Sequence, residues 1–300
     1  MTHTDDAVRG AFERACPGVR VRGVTPLELG HSSRQWLFDT DEGALMLKVP
    51  ARDPNPHKLR NLMAATRVAA ELDVPVSRYR AFLPDDEAVH GPVLVQEFVP
   101  GEQAAAVWSD LDSADRVRVA QTLGRWIGLL HTHRGTDLTD LLGADRYPSI
   151  EDFVIVQLDE AVAAIGEVDV DIPLARRRVE QGLAEFGEVE PALCHRDVYL
   201  DNVLLRQGRP SRLLDFEHAR FLDRYAEFGK IRELLFDWFP ETEQPFLEAY
   251  QDLHPIDELG RHHIHVHIGL YNLVMCGYFT KWAPDLVPTY LDRIRTWLAS

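Results

Sequence analysis

The spacing of apolar positions along the chain predicts strands first and helices after. An opening stretch, 5–16, puts Val8, Phe12 and Ala15 on one helical face. Strand patterns follow at 19–29, 34–39 and 44–49, the last two joined by the turn sequence Asp41-Glu42-Gly43. A helical pattern over 56–72 carries Leu59, Leu62, Met63, Ala69 and Leu72. Two more strands, 79–83 and 92–98, flank the polar run Pro84-Asp85-Asp86-Glu87. Beyond Pro100-Gly101 the period becomes helical, at 115–131, 150–165, 172–186, 225–239, 243–253, 258–279 and 286–298. Prolines 240, 255, 284 and 288 punctuate the last of these. One hairpin pattern interrupts the helices, with short strands at 203–205 and 212–214 around Gln207-Gly208-Arg209-Pro210. This order predicts an α+β, bilobal fold: a small β-rich lobe over 1–98 and a larger, mostly helical lobe over 99–300.

Composition narrows the class. The 300 residues are 45% hydrophobic, enough for a sizeable core, and hold no apolar run of membrane length and no charged-then-apolar leader. Three cysteines far apart, Cys16, Cys194 and Cys276, argue against a disulfide framework and for a reducing cytoplasm. The net charge of −16 makes nucleic acid and anionic membranes poor partners. It is also uneven: residues 1–95 hold 13 acids and 12 bases, residues 96–300 hold 35 and 20, so the balance is −1 against −15. That asymmetry fits either a solubilising surface or a cationic substrate for the second lobe.

The chemistry concentrates in one run. His195-Arg196-Asp197 is followed by Asn202, giving H-R-D-x-x-x-x-N, and the hairpin leads to Leu213-Leu214-Asp215-Phe216-Glu217. An aspartate able to take a hydroxyl proton, an amide five residues on and a second carboxylate across a hairpin form the grouping that phosphoryl transfer from ATP requires. Mg²⁺ takes oxygen ligands, one or two from the protein and the rest from phosphates. Asp197 is therefore the candidate base, and Asn202 and Asp215 the candidate metal ligands. Lys48 ends the apolar strand Leu45-Met46-Leu47-Lys48-Val49, where a buried ammonium needs an anionic partner such as the α/β-phosphates. Lysine occurs only four times against 28 arginines, which makes each one informative.

His195, Asp197, Asn202, Asp215 and Glu217 resemble the H-G-D-x-x-x-x-N and apolar-D-x-D/E motifs of the aminoglycoside phosphotransferase family, small-molecule relatives of the protein kinases. Arg196 departs from that pattern, where glycine is usual, and no A-P-E follows Asp215. The resemblance implies a bilobal protein-kinase-like fold with ATP and Mg²⁺ in the cleft. The turn Leu29-Gly30-His31-Ser32-Ser33-Arg34 resembles the G-x-x-S-R segment of hygromycin-type members, with Gly30, Ser32 and Ser33 over the phosphates. Val93–Gly101 resembles the family's hinge strand, with adenine against the Gln96 carbonyl and the Phe98 N–H. Kinases pair the strand lysine with a helix glutamate. Here the helix over 56–72 offers only Asn61, or Glu71 at its far end.

Two histidine groups are weaker signals. His131 and His133 end a helix, and of His262, His263, His265 and His267 only His263 and His267 share a helical face, which fits packing or pocket roles better than a metal centre. The expected acceptor is a small hydroxylated molecule, cationic if acids such as Asp223, Glu227, Glu233 and Asp237 line the cleft mouth. Rival expectations are a choline, sugar or homoserine kinase, or a catalytically silent nucleotide-binding protein.

Overall fold

The structure, a computed structural model, describes residues 5–27, 33–51 and 54–300. Helix α1 (Asp5–Ala15) leads into strands β1 (Val21–Leu27), β2 (Ser33–Thr40) and β3 (Gly43–Pro50), then helix α2 (Pro56–Glu71) and strands β4 (Tyr79–Asp86) and β5 (Gly91–Glu97). These strands form one antiparallel sheet in the order β1-β2-β3-β5-β4. Helix α1 packs on it with the stacked pair Phe12 and Phe38, ring centroids 4.0 Å apart. Arg14 donates to both carboxylate oxygens of Asp86 at 2.7 and 2.8 Å. That clamp, with Asp86 also accepting from the Ala88 N–H at 3.1 Å, carries β4 through the polar run expected to be a turn and moves the turn to 87–90.

The remainder is mostly helical. A two-residue strand β6 (Glu102–Gln103) and a short helix α3 (Ala104–Val107) precede α4 (Ser113–Thr132), α5 (Ile150–Ile165) and α6 (Ile172–Leu183). Strands β7 (Ala192–Cys194), β8 (Val203–Arg206), β9 (Arg209–Leu213) and β10 (Arg220–Leu222) carry the motif residues, followed by α7 (Glu227–Ile231), α8 (Glu243–Gln251), α9 (Glu258–Trp282) and α10 (Val287–Ala299). The antiparallel sheet in the N-terminal part and the helices of the C-terminal part give the α+β, kinase-like architecture that the element order predicts. The β8–β9 hairpin turns at Gln207 and Gly208, both at positive φ (53° and 72°), as a tight two-residue connection requires. Strand β6 pairs with β8, and Gly101 makes this possible: a Cβ there would lie 2.7 Å from the Leu205 carbonyl oxygen. Among the described residues no helix is long and apolar enough to cross a membrane. Cys16, Cys194 and Cys276 are free and buried.

The helix expected over 225–239 is broken. Asp223 caps a 3₁₀ turn through the Tyr225 N–H at 3.1 Å, α7 is five residues long, and Arg232–Phe236 continues it with π-type bonding. Asp223 is spent inside the protein. Its Oδ2 meets His263 Nδ1 at 2.9 Å and His267 Nε2 at 2.8 Å, while His263 Nε2 reaches the Phe186 carbonyl at 3.1 Å. The shared face of His263 and His267 thus serves packing, joining α9 to the end of β10. Burial pushes the Asp223 carboxyl up, but hydrogen bonds from and charge on the two histidines outweigh it and hold the carboxyl well below the usual range. Asp223→Ala should cost about 3–5 kcal/mol of stability, since it orphans two buried imidazoles. A depressed carboxyl contributes fully above its unfolded value, near pH 4, and loses that contribution as pH falls further. Thermal melts should therefore separate wild type from Asp223→Asn widely at pH 7, and the gap should close on acidification below pH 4.

Candidate active site

The H-R-D run leaves β7 as a tight loop with defined hydrogen bonding. His195 is fully buried; its Nε2 faces the Leu214 carbonyl at 2.8 Å and its Nδ1 accepts the Asp197 N–H at 3.2 Å. A carbonyl only accepts and an N–H only donates, so the ring is neutral with its proton on Nε2. Burial lowers its pKa in agreement. The ring ties the loop to the strand that delivers Asp215. Arg196 has φ +64°, the left-handed region glycine favours, which explains why glycine is usual there. The arginine compensates by laying its guanidinium over Phe153 at 5.3 Å.

Asp197 and Asn202 are brought together directly. Asn202 Nδ2 donates to both the backbone carbonyl and Oδ2 of Asp197, each at 2.8 Å. With its nitrogen so committed, the amide oxygen points elsewhere. Asp215, also left-handed at φ +63°, follows β9 on the far side of Asn202. Burial, Glu217 and Asp197 all raise its carboxyl, and Lys48 only partly offsets them. Asn202 and Asp215 line the same cleft, and an amide oxygen with a crowded carboxylate is a hard-oxygen donor set that fits Mg²⁺. Among the described residues no three His, Cys, Asp or Glu side chains converge as a self-sufficient metal centre, so such an ion would share phosphate ligands.

A cleft of about 680 Å³ lies between the sheet and the hairpin, lined by Lys48, Gln96, Phe98, Asn202, Asp215 and Glu217 among others. Burial pulls the Lys48 ammonium below its ordinary range, while Asp215 and Glu217 pull it up. These two acids come from the C-terminal part, and neither expected helix partner takes that place. Asn61 is buried and committed, its Nδ2 donating to the Ala219 carbonyl and its Oδ1 accepting from the Leu141 N–H, both at 2.8 Å. Glu71 is exposed and lies 3.9 Å from Arg67. The α2 face lining the cleft is Leu59, Leu62 and Thr66. Gly30 and Ser32 lie outside the described residues; Ser33 opens β2 and lines the cleft. Gln96 is buried in β5, paired with Met46 and Tyr79. The Phe98 N–H donates to the Ala44 carbonyl at 3.1 Å, so sheet bonding commits the donor expected for adenine. A second cavity of about 600 Å³, between α2 and β4, holds none of the motif residues.

Two residues at this site were not singled out for it. Glu227 accepts the N–H groups of His195, at 3.1 Å, and of Arg196, with His131 Nε2 3.5 Å away, so it braces the catalytic loop from below. Lys230, three residues on, forms an ion pair with Asp197 Oδ1. Helical spacing could have put both on one face of α7, but nothing local says that face meets Asp197. The four acids expected at the cleft mouth are occupied: Asp223 and Glu227 as described, Glu233 by the hydroxyls of Tyr271 and Tyr290, and Asp237 by Arg293.

The sequence profile of the phosphotransferase enzyme family matches residues 23–259. The chain belongs to that family. As a member it is an ATP-dependent small-molecule O-phosphotransferase, as the motif run implies. Among curated proteins none matches by sequence. Solved structures of the same fold include the aminoglycoside phosphotransferase APH(4)-Ia, 18% identical with a TM-score of 0.71 over 99% of both chains. A thermostable mutant of that protein, in ternary complex with AMP-PNP and hygromycin B, is 17% identical with a TM-score of 0.75 over 98% of both chains. The ADP-bound aminoglycoside phosphotransferase APH(2″)-Ib is 14% identical, with a TM-score of 0.66 over 98% of this chain and 97% of that one.

Proposed function

We propose that this phosphotransferase moves the γ-phosphate of ATP to a hydroxyl of a small, amine-bearing molecule of the aminoglycoside type. The observation that carries this is a cleft lined by Lys48, Asn202 and Asp215, with Asp197 hydrogen-bonded to Asn202 beside it. Lys48 grips the nucleotide phosphates. Asn202 and Asp215 would hold Mg²⁺, which offsets phosphate charge when bound. Asp197, held by Asn202, takes the acceptor's proton as its oxygen attacks. The acceptor class rests on the relatives whose structures hold hygromycin B and on the −15 balance of residues 96–300. Three free, buried cysteines suit a reducing, cytoplasmic setting.

Since three of the four acids expected to hold the acceptor are buried and bonded inside the protein and Asp237 is paired with Arg293, any attraction of a cation comes from the diffuse field of the second part. Such a field is screened within about 8–10 Å at physiological salt. With hygromycin B or another aminoglycoside as acceptor and saturating Mg²⁺·ATP, KM should rise as salt is raised while kcat changes little. A flat KM for the best acceptor in a panel would point to a neutral sugar or nucleoside and leave the acidity as a solubility feature. No transfer to any aminoglycoside in the panel, with ATP still bound, would overturn the acceptor class.

A further inference from the structure

We infer that Lys230 is a second phosphate-contacting cation, delivered from α7 to the transferring phosphoryl group on the acceptor side of the site. The inference rests on the reading of Asp197 as base and extends it. Both oxygens of that carboxylate are engaged: Oδ2 by Asn202, Oδ1 by the Lys230 ammonium. Asn202 is pinned twice to Asp197 and buried, whereas the Lys230 side chain is 25% exposed and meets the carboxylate from the solvent side. The acceptor hydroxyl therefore reaches Asp197 at Oδ1, beside the lysine. Hydrogen bonding puts the attacking oxygen roughly 2.6–3.2 Å from the carboxylate, with phosphorus about 3–3.5 Å beyond. An ammonium paired to the same carboxylate is then within roughly 4–6 Å of phosphorus, where its charge acts on the equatorial oxygens.

The surroundings hold it there. Gly229 lets α7 lie against α9, since a Cβ at that position would sit 2.7 Å from Tyr271 Cβ. The Tyr199 ring, its centroid 5.3 Å from Lys230 Nζ, supports the ammonium from the other side. Among the described residues the lysine paired with the base is Lys230, while Lys48 lines the nucleotide cleft and Lys281 sits over Trp282. In the step itself, the bond from acceptor oxygen to phosphorus forms as the bond from phosphorus to the β-phosphate oxygen breaks, and that electron pair leaves with ADP. The acceptor's proton passes to Asp197. Lys230 keeps its protons, releases Oδ1 and turns its charge to the transferring group.

The test uses Lys230→Met and Lys230→Arg in the full chain. Affinity for ADP with aluminium fluoride, a mimic of the transferring phosphoryl, should fall about 100-fold in Lys230→Met. Affinity for ADP alone should stay at the wild-type value, and Lys230→Arg should recover most of the loss. Transfer to hygromycin B and acceptor-independent ATP hydrolysis should fall together in kcat with KM for ATP unchanged. Equal affinity of wild type and Lys230→Met for ADP with aluminium fluoride would overturn the inference, as would faster hydrolysis in Lys230→Met, which would make the lysine a guard on the base. Full turnover by Asp197→Ala would instead overturn the base assignment, and the binding measurement would still report on Lys230 separately.

Discussion

Asp197→Ala is expected to lower kcat for phosphoryl transfer by about 10²–10⁴-fold while ATP binding stays equal or tightens. In the proposed mechanism the carboxylate has one chemical role, to accept the proton of the attacking hydroxyl. Its environment suits that role. The side chain is buried and held through Oδ2 by an amide that also grips its backbone carbonyl, and the His195 ring holds its backbone N–H. It is not among the residues lining the cleft, so its loss is expected to remove no contact to ATP. It does remove a negative charge near where phosphates bind and frees Lys230, both of which favour the nucleotide. Steady-state kinetics with a saturating aminoglycoside and titration with a fluorescent nucleotide check the two halves. Retention of more than about a tenth of wild-type kcat would take Asp197 out of the role.

Asp215→Asn should weaken Mg²⁺·ATP far more than metal-free ATP. The carboxylate stands where burial and two neighbouring acids disfavour its charge, an arrangement that a divalent ion relieves. Asparagine removes the charge and retains an oxygen, so what is lost is the attraction for the ion. With the like charge gone, metal-free ATP should bind as well as before or better. Calorimetry with and without Mg²⁺ measures the difference, and equal losses in both titrations would show that Asp215 holds no metal.

The departure of α2 from the kinase pattern has a physical account. Its cleft-facing residues are apolar or weakly polar, and its one buried amide ties the helix to the C-terminal part through Ala219 and Leu141. His57 adds a bond to Asp140. A helix anchored this way needs no lysine–glutamate pair to hold its place. Lys48 instead lies in the field of the acids of the D-F-E run, so the proposed nucleotide grip and the proposed metal site form one electrostatic unit.

Local pattern alone determined the β-then-helical order, the β8–β9 hairpin and the motif spacing, though not the short strands β6, β7 and β10 or the break in the helix expected over 225–239, because what it fixes depends on residues within about twenty positions of one another. Apolar period separates the strands before residue 98 from the helices after it, and Gln207-Gly208 supplies the positive φ that a two-residue turn demands. The spacing of Asp197, Asn202 and Asp215 is chain-local too, so motif and hairpin together put them at one end. Only the tertiary structure decided which charges meet across long separations. Asp197 and Lys230, Asp223 and His267, Asn61 and Ala219 lie on different elements, and nothing in a helical period says which face another element covers. For the same reason the acids at 223, 227, 233 and 237 read as a surface cluster. The fold turns three of them inward, where a buried carboxylate must find donors, and it finds them on α4, α9, α10 and the catalytic loop.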